Sequence, residues 1–457
     1  MREWCGVKVE LPEPVGYIIG ALEANGYEAY AVGGCVRDSL LGAQPEDWDV
    51  CTSARPEQTM GCFKQHHVIE TGLRHGTVTL MLGRLPFEIT TYRIDGPYTD
   101  NRRPDTVKFT GSLKEDLSRR DFTVNAMAYR PADGVVDYFG GQDDLRAGLI
   151  RCVGEPDKRF GEDALRIMRA LRFASVLGFS IEDATSRSIF RNVGLLQNIA
   201  AERLASELSK LLMGNGVFGI LTKYTPVIAE IIPEISPMEG FEQNNPHHCY
   251  DVLRHTLKSV EYAPQDVVLK LTMLFHDMGK PHCYTEEGCI GHFYGHPQVG
   301  SELAQAILSR LRFDNNTIEQ VAALVLHHSA ELQPQRKQIK RWLNRIGEGM
   351  FRRLIEVKRA DAKAHTETYR QDKLSALSDV LALLDEIIER RQCFCLKDLA
   401  VNGGDLLAAG VPQGVRIGII LNRLMDMVID EQIDNDRAGL LKTAQWLIQE
   451  YEKTGWP

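Results

Sequence analysis

The sequence predicts an α+β protein, with a small α/β head at the N-terminus followed by a long all-α remainder. Three observations point there. Residues 12–140 mix short β-rich runs with turns, as in Ala29-Tyr30-Ala31-Val32, Gly76–Leu82 and Phe87–Arg93. After Gly161 the apolar spacing becomes helical and stays so almost to Pro457. At 457 residues the chain is too long for one ordinary core. Proline and glycine clusters suggest boundaries near Pro233–Pro246, near Pro334 and near residue 392.

Composition excludes several classes. With 44% hydrophobic and 25% charged residues the chain reads as globular. No apolar run reaches the roughly 18–20 residues that span a bilayer, so no membrane role is expected. Met1-Arg2-Glu3-Trp4-Cys5 lacks the pattern of a signal peptide. The ten cysteines are scattered without metal-finger spacing, which fits a reducing cytoplasm. The net charge of −9 argues in bulk against a nucleic-acid partner, but distribution matters more than the sum. Arg336–Arg359 holds nine Lys/Arg against Glu348 and Glu356, and Arg159–Arg172 holds four arginines against Glu162 and Asp163.

The first chemical constellation is Gly33-Gly34-Cys35-Val36-Arg37-Asp38, followed by Asp47-Trp48-Asp49-Val50. A Gly-Gly turn lets backbone N–H groups approach an anion, and a following helix start favours negative charge. Arg37 adds a charge-assisted contact suited to a triphosphate. In a strand, Asp47 and Asp49 point to one face, where two carboxylates repel unless a cation joins them. Mg²⁺ takes one or two carboxylates plus substrate phosphates, and two such ions activate a 3′-hydroxyl and stabilise leaving pyrophosphate. Glu88, central in the next strand, is a third candidate carboxylate.

Two further motifs offer a nucleotide site. Arg119-Arg120-Asp121-Phe122-Thr123-Val124-Asn125 supplies cations, an acid and an amide for a triphosphate and ribose. In Glu162-Asp163-Ala164-Leu165-Arg166-Ile167-Met168-Arg169-Ala170-Leu171-Arg172, a helix sets Asp163 and Arg166 at i and i+3. It also lines Arg166, Arg169 and Arg172 along one stripe, opposite Ile167, Met168 and Leu171. Cytosine and adenine share an edge with an amine donor beside a ring-nitrogen acceptor. A carboxylate and a guanidinium match that edge, whereas uracil and guanine present the reverse.

These motifs, spread in order over roughly residues 15–180, resemble the class II CCA-adding enzymes and the related bacterial poly(A) polymerases. The resemblance implies a head, neck, body and tail, with tRNA, ATP and CTP as partners. It implies nucleotide contacts from Gly34, Arg37, Arg120, Asp163, Arg166, Arg169 and Arg172, and Mg²⁺ on Asp47 and Asp49. Gly33, Asp121, Asn125 and Glu162 complete the candidate nucleotide set, with Asp47, Asp49 and Glu88 as the catalytic set. The segment Arg93–Pro104 resembles the family's complete flexible loop, which implies competence for the terminal A; adenine must fit where cytosine did, so this loop is the expected gate. The tail segment Leu399–Leu406 and Gly410–Gly418 resembles the family's RNA-binding module.

A second site is expected further on. His255, His276-Asp277-Met278-Gly279-Lys280, His296, His327-His328 and Asp361 resemble the HD superfamily of metal-dependent phosphohydrolases. His255, His276, Asp277 and Asp361 supply N and O ligands for a divalent transition metal such as Ni, Co or Mn. His296 with His327 or His328 would serve a second ion. The expected division is a nucleotidyltransferase head over 12–140, neck and body over 141–245, an HD domain over 246–365 and an α-helical tRNA-binding tail over 366–457. Two alternatives share these motifs: a poly(A) polymerase on the same scaffold, and a phosphohydrolase whose head merely binds nucleotide.

Overall fold

A computed structural model describes residues 9–96, 106–244, 249–287 and 290–456. The Met1–Cys5 segment and residues 97–104 of the expected gating loop lie outside these. The chain forms two compact units, residues 1–236 with 310–313, and residues 237–309 with 314–457. Among the described residues no helix is long and apolar enough to cross a membrane, and all eight described cysteines are free thiols.

The first unit is built on a seven-stranded sheet of order β3-β4-β5-β2-β1-β8-β9. Its strands are β1 (Ala29–Val32), β2 (Val50–Thr52), β3 (His67–Ile69), β4 (Thr77–Leu82), β5 (Leu85–Thr91), β8 (Met127–Arg130) and β9 (Gly134–Asp137). The central pair β2–β5 is parallel, with Val50 opposite Ile89, and the other pairings are antiparallel. In β5, buried Phe87, Ile89 and Thr91 alternate with exposed Glu88, the period-2 signature of a half-covered sheet. Between β5 and β8 in sequence lies a separate pair of strands, β6 (Arg93–Asp95) and β7 (Val107–Phe109).

Helices α1 (Glu13–Ala24), α2 (Gly34–Leu40), α3 (Pro56–Cys62) and α4 (Leu113–Ser118) accompany the sheet. In α1 the buried residues Val15, Ile18, Ile19 and Leu22 recur at the spacing of one helix face. A largely helical stretch follows, comprising α5 (Gly141–Ala147), α6 (Pro156–Glu162), α7 (Leu165–Leu177), α8 (Asp183–Asn192), α9 (Ala201–Leu212), α10 (Val217–Lys223) and α11 (Thr225–Ile231). Gly178, at φ +68°, stops α7 in the left-handed conformation.

The second unit contains α12 (Val252–Tyr262), α13 (Val267–Phe275), α14 (His296–Arg310), α15 (Asn315–His327), α16 (Arg336–Lys363) and α17 (Glu367–Glu389), then α18 (Gly403–Ala408), α19 (Val415–Ile429) and α20 (Arg437–Thr454). Asp251, Asp266, Asp314 and Asp436 each cap a helix by accepting a backbone N–H of its first turn. Helix α13 is the hub, packed against α12, α15 and α16. Gly347, at φ +74°, breaks α16 into two helical stretches. The C-terminal helices surround their own core of Leu406, Ile420, Leu424, Met425, Leu440 and Leu447.

The expectation of unbroken helix after Gly161 needs amendment. Strand β11 (Ser180–Ile181) pairs in parallel with β10 (Leu149–Ile150), and β12 (Thr285–Glu287) forms a hairpin with β13 (Ile290–His292). Strands of two or three residues are too short to leave a period in the sequence.

Candidate functional site

The chain turns sharply where β1 ends. Gly33 has φ +86°, and a Cβ there would meet Arg120 Nη1 at 3.0 Å, so the position requires glycine for conformation and for room. Its N–H donates to Met127 O (3.1 Å), which ties the turn to β8. Gly34 then opens α2. One turn on, Arg37 is buried; Nη1 donates to Asn125 Oδ1 (2.6 Å), while Nε and Nη2 grip the Asp38 carboxylate at 2.8 and 2.9 Å.

Asp47 and Asp49 do not lie within a strand as expected; they precede β2, which starts at Val50. The ladder nevertheless reaches Asp49, whose O accepts from Val32 N (3.0 Å). One residue before the Val50–Ile89 partners, on adjacent chains, are Asp49 and Glu88. The Asp49 carboxyl is pushed above its ordinary value, first by partial desolvation. Arg120 opposes this, and the charges of Glu88 and Asp47 add to it. Three carboxylates thus stand close enough to repel, the condition a divalent cation relieves.

Asp121 organises the opposite wall. Its Oδ1 accepts from Phe122 N (2.8 Å) and Asn125 Nδ2 (3.2 Å), and its Oδ2 accepts both Nε (2.8 Å) and Nη2 (2.5 Å) of Arg169. Burial alone would raise this carboxyl, but the charge and hydrogen bonds of Arg169, the Asn125 amide and the charge of Arg166 hold it far below the usual range. Asp121 and Asn125, expected to reach a nucleotide, are engaged with Arg169 and Arg37 in this structure. Arg120 lies 3.6 Å from Asp116 Oδ2, and its buried Nε has no hydrogen-bond partner.

The arginine stripe of α7 is paired throughout. Arg166 meets Glu162 (2.8 Å), Arg169 meets Asp121, and Arg172 meets Glu207 of α9 (3.1 Å). Ile167, Met168 and Leu171 are buried, as the spacing predicted. Sequence reasoning missed Glu207 and Phe173. The guanidinium carbons of Arg37, Arg169 and Arg172 stand 5.1, 5.3 and 4.0 Å from the Phe173 ring centroid. An aromatic directly after the stripe was the signal for Phe173; Glu207 sits in an unremarkable helical stretch and gave none.

The i, i+3 geometry expected for Asp163 and Arg166 is not found. Helix α6 ends at Glu162, Asp163 is extended (φ −137°, ψ 100°), and α7 begins at Leu165. Arg166 is buried and donates to Glu162 Oε2 (2.8 Å), Arg159 O (3.1 Å) and Arg119 O (2.9 Å). The Asp163 carboxylate faces Arg203 Nη2 instead, at 3.3 Å.

Comparison with known proteins decides the family. Residues 29–151 match the poly A polymerase head domain, 178–220 the probable RNA- and SrmB-binding site of polymerase A, and 282–444 a putative domain 2 of tRNA nucleotidyltransferase. A CCA-adding enzyme of Lactiplantibacillus plantarum is 35% identical over 94% of this chain and 94% of its own. The chain belongs to the CCA-adding enzyme family. The CCA-adding enzyme of Limosilactobacillus fermentum is 33% identical, covering 96% of this chain and 97% of its own. The crystal structure of the Bacillus stearothermophilus CCA-adding enzyme in complex with CTP matches with a TM-score of 0.70 at 27% identity, over 97% of this chain and 100% of that one. This favours CCA addition over both alternatives, and nucleotidyltransferases of the CCA-adding family are metal-dependent.

A second cluster lies within the other unit. His255 Nε2 stands 2.9 Å from Asp361 Oδ1, and His276 Nε2 stands 3.3 Å from Asp277 Oδ2. On its other oxygen, Asp277 faces His296 at 3.8 Å and His328 at 3.6 Å. In His276, His296 and His328 the Nδ1 lies 2.6–2.7 Å from the carbonyl three residues back, which leaves each Nε2 turned to the carboxylates. Burial opposes charge here, yet Asp277 is held well below the ordinary range by His276 and Lys280, and Asp361 by His365 and His255. Gly279 permits the approach of α14, since a Cβ there would meet His296 O at 2.3 Å. Of the paired histidines only His328 joins the cluster; His327 packs edge-on against Trp342. His365, one turn after Asp361, was missed and lies within reach of the same group.

The basic stretch 336–359 is largely neutralised. Arg336 pairs with Glu386, Arg341 with Asp430, Arg352 with Glu348 and Asp385, Arg353 with Asp266 and Arg359 with Glu356. In the tail, the first-turn N–H groups of α18 are taken by the Asn402 side chain, whereas α19 starts from Gly414 without a side-chain cap.

Proposed function

We propose that this chain adds C, C and A to the 3′ end of tRNA from CTP and ATP. The observation that carries this is the convergence of Asp47, Asp49 and Glu88 beside Arg120 and the Gly33–Gly34 turn, in a chain of the CCA-adding family. Their all-oxygen, mutually repelling donors fit Mg²⁺, which supplies charge neutralisation and Lewis acidity when bound. The primer 3′-hydroxyl loses its proton to solvent as its oxygen bonds to the α-phosphorus, the bond from that phosphorus to the α,β-bridging oxygen breaks, and pyrophosphate departs with the electron pair. Gly33, Gly34, Arg37, Arg120, Arg169 and Arg172 bind and orient the triphosphate. Asp163 accepts from the amine of cytosine or adenine and Arg166 donates to the ring nitrogen, with Glu162 holding Arg166. Asp49→Ala abolishes addition of C and A alike; full addition by that variant would remove the metal assignment.

We further propose a second, hydrolytic activity for the histidine cluster, on the observation that His255, His276, His296 and His328 bring their Nε2 atoms to within 2.9–3.8 Å of the Asp277 or Asp361 carboxylate. His255, His276, Asp277 and Asp361 suit a divalent transition metal such as Ni, Co or Mn, with Asp277, His296 and His328 for a second ion. This supports reading residues 246–365 as an HD domain between the neck and body and the tail, in a cytoplasmic enzyme. His276→Ala eliminates Ni²⁺-, Co²⁺- or Mn²⁺-stimulated hydrolysis of a 2′,3′-cyclic nucleotide and spares CCA synthesis. Absence of such hydrolysis in the parent protein would make the cluster structural.

A further inference from the structure

The two base-reading candidates are held in different ways. Arg166 is fixed by three acceptors, Glu162 Oε2, Arg159 O and Arg119 O. Asp163 lies outside both flanking helices. Its Oδ1 accepts only from Leu165 N, at 3.2 Å. Its Oδ2 faces Arg203 Nη2 at 3.3 Å, the only salt-bridge partner of Asp163 among the described residues. Arg203 stands in the first turn of α9, a helix that packs along α7 and buries Leu204, Leu208 and Leu211. Its backbone is therefore part of a rigid helix pair. Its Nη1 is buried and has no hydrogen-bond partner, so the guanidinium is not fully used by the protein.

We propose that Arg203 is a positioning residue for base selection. It acts through Asp163, and the inference rests on the reading that Asp163 accepts the amine of the incoming base. At the helix break the Asp163 carboxylate has one local restraint, the bond from Leu165 N to Oδ1, and the contact from Arg203 is what holds Oδ2. Discrimination by one acceptor requires that the acceptor stay where the amine will be. The Arg203 fork supplies a charge-assisted restraint from a neighbouring helix. Arg166 does not depend on it, having its own anchors. Nor do Arg37, Arg169 and Arg172, whose partners are Asp38, Asn125, Asp121 and Glu207. Loss of Arg203 thus loosens the amine-reading half of the pair and leaves the triphosphate grip in place.

The test compares Arg203→Ala, Arg203→Lys and Asp163→Ala in the full chain, after a thermal melt to establish folding. The readouts are kcat and KM for CTP and UTP on tRNA lacking CCA, and for ATP and GTP on tRNA ending in CC. For Arg203→Ala the CTP-to-UTP ratio of kcat/KM falls about tenfold or more, mainly through a higher KM for CTP. Arg203→Lys recovers part of that ratio. If Asp163→Ala lowers the ratio and Arg203→Ala leaves it unchanged, the role of Arg203 is wrong while the base-reading account stands. Unchanged ratios in both variants overturn that account and this inference with it. An equal loss of kcat for all four nucleotides in Arg203→Ala, without a change of ratio, makes the residue structural and overturns the proposal.

Discussion

Asp121 stiffens the proposed nucleotide site at the scale of single residues. Its two oxygens take four donors, two of them from Arg169, so one carboxylate fixes both the Arg119–Asn125 segment and the α7 stripe. Asp121→Asn removes the charge at nearly constant shape and leaves Arg169 short of its partner. Because Arg169 remains about a third exposed (32%), the cost is less than for a fully buried pair, about 2 kcal/mol. Urea unfolding measures it, and an unchanged midpoint would contradict the assignment. The pH dependence has a definite sign. The folded pKa is depressed, so this stabilisation is complete above the ordinary carboxylate range near pH ~4 and is lost as pH falls below it. The variant lacks that acid-side loss. At this scale the sequence was legible where motifs are dense: it gathered Asp121, Asn125, Arg37 and the stripe. It did not show that Asp121 holds Arg169 or that Asn125 holds Arg37, because a sequence does not reveal which polar groups satisfy one another.

At the scale of elements, the decisive features are junctions. β1 and its turn were legible because Gly-Gly follows the short run Ala29-Tyr30-Ala31-Val32, and the observed φ of +86° at Gly33 bears out the turn. The Glu162–Leu165 break was not legible, since Asp163 and Ala164 carry no helix-stopping residue and the apolar period runs through them. That break separates the two proposed base-reading groups, with Arg166 on α7 and Asp163 off it. Gly33→Ala isolates the other junction. The added methyl meets Arg120 Nη1 at 3.0 Å in a conformation costly to any side chain, roughly 1–3 kcal/mol. Addition of C and of A then falls together while the thermal melt shows a folded protein. Wild-type rates in that variant would mean the turn does not shape the phosphate site.

At the scale of the whole molecule, the candidate sites are divided between two compact units. The carboxylates, the arginine stripe and Arg203 belong to the first, and the histidine cluster to the second. The α+β class and the helical remainder followed from composition and period, because long amphipathic helices write their faces into the sequence. The membership of the histidine cluster followed only in part. His276-Asp277 announces itself, but choosing His328 over His327 and finding His365 depend on which way helices α15 and α16 turn.

The central claim is that the first unit selects C and A without a nucleic-acid template. It is tested most directly by incubating the chain with tRNA lacking its CCA end, one labelled nucleoside triphosphate at a time, and resolving products at single-nucleotide length. The account predicts two C residues from CTP alone, one A from ATP once CC is in place, nothing from UTP or GTP, and no addition by Asp49→Ala. Long A tracts on unrelated RNA ends, or addition that survives in Asp49→Ala, would contradict it.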